Sequence, residues 1–343
     1  MNHPQHAARG TSPRTLIVGP AWIGDMVMAQ SLCITLKRRF PDCEIDVLAP
    51  AWSKPLLARM PEVRSAVTLP LGHGEFGLGA RRRLGRLLRG RHDWAIVMPR
   101  SWKSALVPFF AGIPKRTGYR GEWRYGLIND IRALDKTKLA RTVQRFVALG
   151  LARDAPLPPA NIPQPQLRVD TQNQNALLDK LALNRDSPIV AMMPGAEYGP
   201  SKRWPVERYG ELAKQLLASG KQVWVFGSVR EQSLGEEITR IAGERVVNLC
   251  GSTRLEDAVD LLALAETAVT NDSGLMHIAT AVGVKVVAIY GSSSPDYTPP
   301  LTDRAEIVYL RLDCSPCFQR ECPLGHMNCL NHISVDEVLR RSL

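Results

Sequence analysis

Along most of the chain, short apolar runs alternate with longer stretches whose apolar residues recur at helical spacing. Thr15–Val18, Glu44–Leu48 and Trp94–Met98 read as strands in the first half. Ile23–Phe40, with Met26, Val27, Leu32 and Leu36 among its apolar positions, reads as the helix after the first strand. In the second half, Pro188–Met193, Gln222–Phe226, Arg245–Leu249, Ala268–Thr270 and Val284–Tyr290 read as strands. Val206–Ser219, Gln232–Ala242, Leu255–Ala265 and Leu275–Val282 read as helices between them. Thr253 and Glu256 have the spacing of a capping box at the start of the third of these. Strands alternating with helices imply parallel sheets, so each half is expected to be a doubly wound α/β domain.

The boundary signal is Leu151–Asp170, which holds Pro156, Pro158, Pro159, Pro163 and Pro165. Such a stretch cannot be helical. The expected organisation is a flexible tail at 1–14, an α/β domain at 15–153, a proline-rich linker at 154–170 and a second α/β domain at 171–343. No internal sequence repeat is visible. Two such domains make a cleft, and ligands of parallel sheets sit beyond the carboxyl ends of the strands. The chemistry is therefore sought in the loops that follow strands.

Composition narrows the class. The 343 residues are 45% hydrophobic and 22% charged, which excludes a disordered or disulfide-stapled chain. No apolar run approaches the ~20 residues of a membrane-spanning helix. Seven cysteines, an odd count, and a polar N-terminus without an apolar leader core point to a reducing, cytoplasmic setting. The net charge of +11 is concentrated: between Arg81 and Arg124 stand twelve basic residues, opposed only by Asp93 and Glu122. This window is either a solvated face or a surface for a polyanion.

Five loops carry candidate chemistry. Val18–Asp25, VGPAWIGD, opens the first helix without the G-x-G-x-x-G dinucleotide fingerprint. It places Asp25 in the first helical turn, where the helix dipole favours an ionised carboxylate. Asp25 is either a helix-start residue or a general base facing the cleft. Met193–Pro205 is rich in small residues and ends in Lys202 and Arg203, as a phosphate site or a plain basic loop would. Glu231 stands just past the strand at Gln222–Phe226, where an acid can accept from a ribose diol. Asn271-Asp272-Ser273-Gly274-Leu275-Met276-His277 joins a strand end to a helix start, a natural pyrophosphate site. His277 is either part of that site or a satisfied core histidine. Tyr290–Pro300 is a further Gly/Ser-rich turn. Cys314, Cys317, Cys322 and Cys329 fall within sixteen residues, either as a zinc site or as reduced thiols.

Six ordered segments then bring in a resemblance: GPAWIGDMVMAQSL from Gly19, LPLGHGEFGLGARRRLG from Leu69, KSALVPFFAGIPKRTGYRGEWRYGLIND from Lys103, PGAEYGPSKRWP from Pro194, NDSGLMHIA from Asn271 and CSPCFQRECPLGHMNCL from Cys314. Together they resemble the ADP-heptose:lipopolysaccharide heptosyltransferases of glycosyltransferase family 9, from Thr15 to about Leu339. The resemblance implies two Rossmann-like domains around a cleft, the GT-B arrangement. It implies an inverting transfer of heptose from ADP-heptose to the first heptose of the Kdo2-lipid A inner core. Asp25 matches the family's general base and Lys202 the cation near the donor phosphates. Glu231 matches the acid near the adenosine ribose, and Asp272, Ser273, Gly274 and His277 match the donor loop. Gly24, Ser201 and Leu275, in the same segments, are assigned to donor binding with them. Arg81, Arg82, Arg83, Lys103, Arg116, Arg120 and Arg124 are assigned to the anionic acceptor.

No Asp-x-Asp metal motif stands in the donor loops, so transfer is expected without an obligatory metal or other cofactor. The expected partners are ADP-heptose, the anionic lipopolysaccharide acceptor and, by peripheral contact, the cytoplasmic face of the inner membrane of a Gram-negative bacterium, with no nucleic acid. The competing readings are a family member with another core acceptor, a dinucleotide-dependent oxidoreductase, and a nucleic-acid-binding α/β protein with a zinc knuckle at Cys314–Cys329.

Overall fold

A computed structural model describes residues 12–72 and 74–343; most of the expected N-terminal tail, positions 1–11, lies outside the described residues. Twelve strands form two sheets among the described residues. The first sheet comprises β1 (Arg14–Val18), β2 (Glu44–Pro50), β3 (Ser65–Leu69), β4 (Trp94–Val97), β5 (Lys115–Tyr119) and β6 (Asp130–Arg132). The second comprises β7 (Ile189–Met193), β8 (Gln222–Val225), β9 (Val246–Asn248), β10 (Thr267–Asn271), β11 (Lys285–Ile289) and β12 (Ala305–Val308). Every pairing is parallel, from Thr15 opposite Ile45 and Trp94 to Thr267 opposite Val190 and Lys285.

The helices of the first half are α1 (Ile23–Arg39), α2 (Lys54–Ala58), α3 (Leu78–Leu87), α4 (Leu106–Phe110) and α5 (Thr142–Gly150). Those of the second are α6 (Thr171–Lys180), α7 (Val206–Ala218), α8 (Gln232–Ala242), α9 (Leu255–Leu262), α10 (Gly274–Ala281), α11 (Asn328–Asn331) and α12 (Val335–Ser342). The central strands β4, β7 and β10 are buried at every position, as expected of parallel strands covered on both faces. One apolar cluster joins the halves, running from Ile17 and Ile45 through Met26 on α1 and Met276 on α10 to Ala191 and Val286.

The proline-rich segment has no regular structure over 156–170, as expected, but it is packed rather than free. Ser31 donates to the Pro163 carbonyl, the Leu167 amide donates to Ala281, and the Arg168 amide donates to Arg59. The segment therefore stitches the two halves together instead of spacing them apart. The capping-box expectation is off by one residue. The N-cap of α9 is Arg254, whose amide donates to Asp257 at 3.0 Å, because the acid three residues on is Asp257 and not Glu256.

Candidate active site

The two sheets share one strand order. The first runs β3-β2-β1-β4-β5-β6, and the second, read from its other edge, runs β9-β8-β7-β10-β11-β12. With β7 counted as a first strand, the second order is that of the first with β1 and β7 in equivalent places. In a doubly wound sheet, loops leave β1 and β4 in opposite directions, and the same holds for β7 and β10, so a crevice opens at each switch point. A cavity lies at each of these crevices.

The first cavity, about 670 Å³, is lined by Val18 and Gly19 after β1, Leu48 to Trp52 around the end of β2, and Met98 and Pro99 after β4. Asp25, Glu75, Arg81 and Lys103 are its charged residues. The second, about 330 Å³, is lined by Gly195 and Glu197 after β7, Phe226 and Gly227 after β8, Glu231, Leu255 and Ala258, and Ser273, Gly274 and Leu275 after β10. Ile23 and Trp52 of the first half complete its wall, and Trp52 lines both cavities.

Two helix N-termini meet between the cavities. A β-carbon on Gly274 would lie 2.8 Å from Ile23 Cβ, and one on Gly24 would lie 2.6 Å from the His277 ring. Glycine at both positions lets α1 and α10 approach this closely. Neither helix has a side-chain cap: Trp22 supplies none, and Ser273 makes no cap bond. The first-turn N–H groups of both helices therefore remain open to an anionic ligand.

Asp25, Lys202, Asp272 and His277 form one electrostatic cluster at this junction. Burial, followed by the nearby Asp272 charge, pushes the Asp25 carboxyl up to about 6, with Lys202 pulling the other way. This corrects the direction expected from the helix dipole: desolvation outweighs it, although Asp25 remains mostly ionised at pH 7. Lys202 Nζ lies 2.5 Å from Asp272 Oδ2 and 5.0 Å from the centre of the Tyr198 ring. The Thr298 hydroxyl is 3.4 Å from Asp272 Oδ1. His277 is buried, and burial pushes it down to about 4, so its ring is neutral at pH 7. Its Nδ1 has no hydrogen-bond partner among the described residues, unlike that of a satisfied core histidine.

Glu231 reaches the second cavity under tight constraint. Its Oε2 accepts from the Ser228 amide at 2.7 Å and the Ser228 hydroxyl at 3.0 Å. A β-carbon on Gly195 would lie 1.6 Å from Glu231 Oε1, so only glycine leaves room for the carboxylate there.

Several expected site residues stand elsewhere. Ser201 is buried away from the donor cavity; its hydroxyl pairs with Ser292 at 2.9 Å and donates to the Gln319 carbonyl at 2.5 Å. Arg116 is spent on the carbonyls of Leu127, Ile113 and Gly126, and Arg124, 3% exposed, on those of Tyr119 and Pro99. These two guanidiniums have little left for an acceptor, because local backbone carbonyls take their donors first. Arg82, Arg83 and Arg120 are exposed, and none lines the first cavity. Arg81 and Lys103 do line it, with Arg81 held by the carbonyls of Phe76, Lys103 and Glu75. Cys314, Cys317, Cys322 and Cys329 line one cavity of about 20 Å³ as free thiols. No group of three His, Cys, Asp or Glu side chains forms a metal position among the described residues.

Sequence reasoning passed over Trp52, Glu75, Tyr198 and Thr298. Trp52 lies between motifs and leaves no local signal. Thr298 falls in the Tyr290–Pro300 loop, but its hydrogen bond to Asp272, 26 residues away, has no local signature. Tyr198 was legible as the aromatic beside Lys202.

Two parallel six-stranded sheets, each with a ligand-sized crevice at its switch point and joined through facing helix N-termini, make up the GT-B arrangement. The family model described as glycosyltransferase family 9 (heptosyltransferase) matches residues 81–328, and the chain belongs to that family. It is 49% identical over 306 residues to lipopolysaccharide heptosyltransferase 2 of Escherichia coli strain K12, covering 87% of this chain and 88% of that one. It is 50% identical over 305 residues to lipooligosaccharide heptosyltransferase 2 of Haemophilus influenzae, covering 86% and 88%. The structure of Escherichia coli ADP-heptose lps heptosyltransferase II superposes with a TM-score of 0.85 at 44% identity, covering 96% of this chain and 97% of that one.

Proposed function

We propose that this enzyme transfers heptose from ADP-heptose to the first heptose of the Kdo2-lipid A inner core, with inversion at the anomeric carbon. The observation that carries the reading is the meeting of α1 and α10, which sets Asp25 of one half beside the Lys202–Asp272 pair of the other, between two cavities. In a chain about half identical to named heptosyltransferases, this divides the substrates between the two crevices.

The smaller cavity suits the nucleoside. Phe226, Leu255 and Ala258 supply apolar walls for a base, and Glu231 lies where a ribose diol would be held. The diphosphate would then reach the open N–H groups at Ser273-Gly274, with Lys202 beside them. The larger cavity takes the acceptor sugar, with Arg81 and Lys103 facing its anionic neighbours. Asp25, on the acceptor side, removes the proton from the attacking hydroxyl. That oxygen bonds to the anomeric carbon as the bond to ADP breaks, and the charge growing on ADP is stabilised by Lys202 and the helix N–H groups.

No helix among the described residues is long and apolar enough to cross a membrane. Work at the cytoplasmic face of the inner membrane, by peripheral contact, belongs to the same proposal.

The test is incubation with ADP-heptose and two defined acceptors, one ending in Kdo and one already carrying the first heptose. Mass spectrometry should show one added heptose on the second acceptor only, with one ADP released per transfer. Addition to the Kdo-terminated acceptor instead would overturn the acceptor assignment.

A further inference from the structure

The junction between the cavities is short of positive charge for a phosphorylated ligand. Asp25 and Asp272 bring two carboxylates, against the single ammonium of Lys202. The open N-termini of α1 and α10 each add roughly half a positive charge. The cluster is thus close to neutral, while a diphosphate arrives and departs with both of its phosphates ionised. Neighbouring cations are already spent. Arg203 donates to the Ala196 carbonyl, Arg230 pairs with Glu197 at 3.0 Å, and Arg254 pairs with Asp257 at 3.2 Å.

Arg320 is not spent. It stands on the loop between β12 and α11 and is exposed, and its guanidinium makes no hydrogen bond or ion pair among the described residues. Its Cζ lies 5.5 Å from the centre of the Tyr198 ring, and Lys202 Nζ lies 5.0 Å from the same centre. An aromatic face holds a guanidinium by cation–π attraction and stacking, and leaves its N–H edges free for an anion.

A run of contacts sets the arginine there. The Tyr198 hydroxyl donates to the Phe318 carbonyl at 2.5 Å, the Ser201 hydroxyl to that of Gln319 at 2.5 Å, and the Ser201 amide to that of Arg320 at 3.2 Å. The Phe318 amide donates to the Ser292 carbonyl at 2.7 Å. A β-carbon on Gly199 would lie 2.5 Å from the Arg320 carbonyl oxygen, so glycine lets the two segments run this close. Cys317 and Cys322, on either side of Arg320, line a small cavity together with Ser201 and Ser292. The cysteine-bearing loop is therefore laid along the segment that carries Lys202, and two cations from distant parts of the chain share one ring.

We infer that Arg320 is a further catalytic residue, whose guanidinium binds the terminal phosphate of the departing nucleoside diphosphate beside Lys202. The inference rests on the proposed function for the identity of the donor. With the base in the smaller cavity and the bond to the sugar broken at the junction, the terminal phosphate is the end of the nucleotide nearest Lys202. A guanidinium can donate to two oxygens of one phosphate, and these bonds strengthen as charge grows on the leaving group. Arg320 therefore contributes to ADP affinity and, more strongly, to the rate of transfer.

Calorimetry with ADP, AMP and inorganic pyrophosphate, in the presence of a chelator, reads the site directly. Arg320→Ala should weaken ADP and pyrophosphate by about 10-fold, the loss of one charge-assisted contact, and AMP by less than about 2-fold. The kcat at saturating ADP-heptose should fall by more than about 10-fold with the acceptor KM unaltered. Arg320→Lys should recover part of the ADP affinity and less of the kcat, because an ammonium keeps the charge without the fork. The side chain is exposed, so the melting temperature of both variants should match that of the unaltered protein. Unaltered ADP affinity in Arg320→Ala overturns the inference, as does an equal loss for AMP and ADP. So does a raised acceptor KM with ADP binding intact, which would assign the guanidinium to an anionic group of the acceptor. If the unaltered protein binds pyrophosphate through Arg320 but does not bind ADP, the proposed function fails and the phosphate site at Arg320 stands.

Discussion

Gly24 and His277 meet across the two halves of the molecule: a β-carbon on Gly24 would lie 2.6 Å from Cδ2 of the His277 ring. Gly24→Ala must therefore push back either the ring or helix α1. The imidazole is buried and has little room to move. Overpacking of this kind costs ~1–3 kcal/mol. The expected result is a lower melting temperature and a kcat reduced by more than 10-fold. His277→Ala added to Gly24→Ala should recover part of the melting temperature. A Gly24→Ala variant with unaltered kcat and Tm would mean that the junction adjusts freely.

As the proposed general base, Asp25 is expected to set the acid limb of the pH profile. Its carboxyl, pushed up to about 6, must be ionised to accept a proton. Activity should fall as pH drops through about 6, rather than through the ordinary carboxylate range near ~4. A profile of kcat/KM flat down to pH 5 would remove Asp25 from the general-base role.

The same shift has a stability consequence of opposite sign. A carboxyl whose folded value is raised favours the fold while protonated, and that contribution is lost as pH rises through about 6. Above that pH the ionised Asp25 opposes folding. Asp25→Asn should therefore raise stability at pH 7.5 by on the order of 1–2 kcal/mol, after allowance for partial solvent access. It should change stability little at pH ~3.5, below the ordinary carboxylate value, and abolish transfer at pH 7.5. Denaturant titration at the two pH values measures the difference.

Lys202 has two partners to satisfy. It neutralises Asp272, which is 6% exposed. Lys202→Ala leaves that carboxylate buried and unpaired, with a cost of up to ~3 kcal/mol. Asp272→Asn added to it should restore stability. ADP affinity, measured by calorimetry, should stay low in both variants, because the cation proposed to face the diphosphate is missing in each. Recovery of ADP affinity in the double variant would place Lys202 outside the donor site.

Gly195→Ala forces Glu231 out of its place, since the added carbon would lie 1.6 Å from Oε1. The KM for ADP-heptose should rise by 10-fold or more while acceptor KM changes little. Equal effects on the two KM values would separate Glu231 from the donor cavity.

The architecture was legible where strands are central and apolar. β1, β2, β4, β7 to β9, β10 and β11 appear within a few residues of their expected bounds. β3, β5, β6 and β12 were not read. Lys115–Tyr119 carries Lys, Arg and Gly, and Ser65–Leu69 lies at a sheet edge with half its side chains toward water, so neither leaves an apolar run. The placement of Asp25, Glu231 and the Asp272–His277 loop at the strand ends beside the cavities was legible, because ligands of parallel sheets sit beyond the strand ends. The pairing of Lys202 with Asp272 was not, because it joins residues 70 apart. The displayed and buried arginines of one window look alike in sequence; only the carbonyls around Arg116 and Arg124 tell them apart.

The repeated strand order has a consequence for how specificity can change. Each crevice is built by one sheet's own switch point, and only Ile23 and Trp52 of the first half reach into the second cavity. On the proposed assignment of donor and acceptor, recognition of the two is nearly modular. Replacing the loops after β1 to β4 is then expected to alter which hydroxyl is presented while the nucleotide remains held as before. The exception is the glycine-to-histidine seam, where both modules must keep the same surface, so any recombined halves have to agree there.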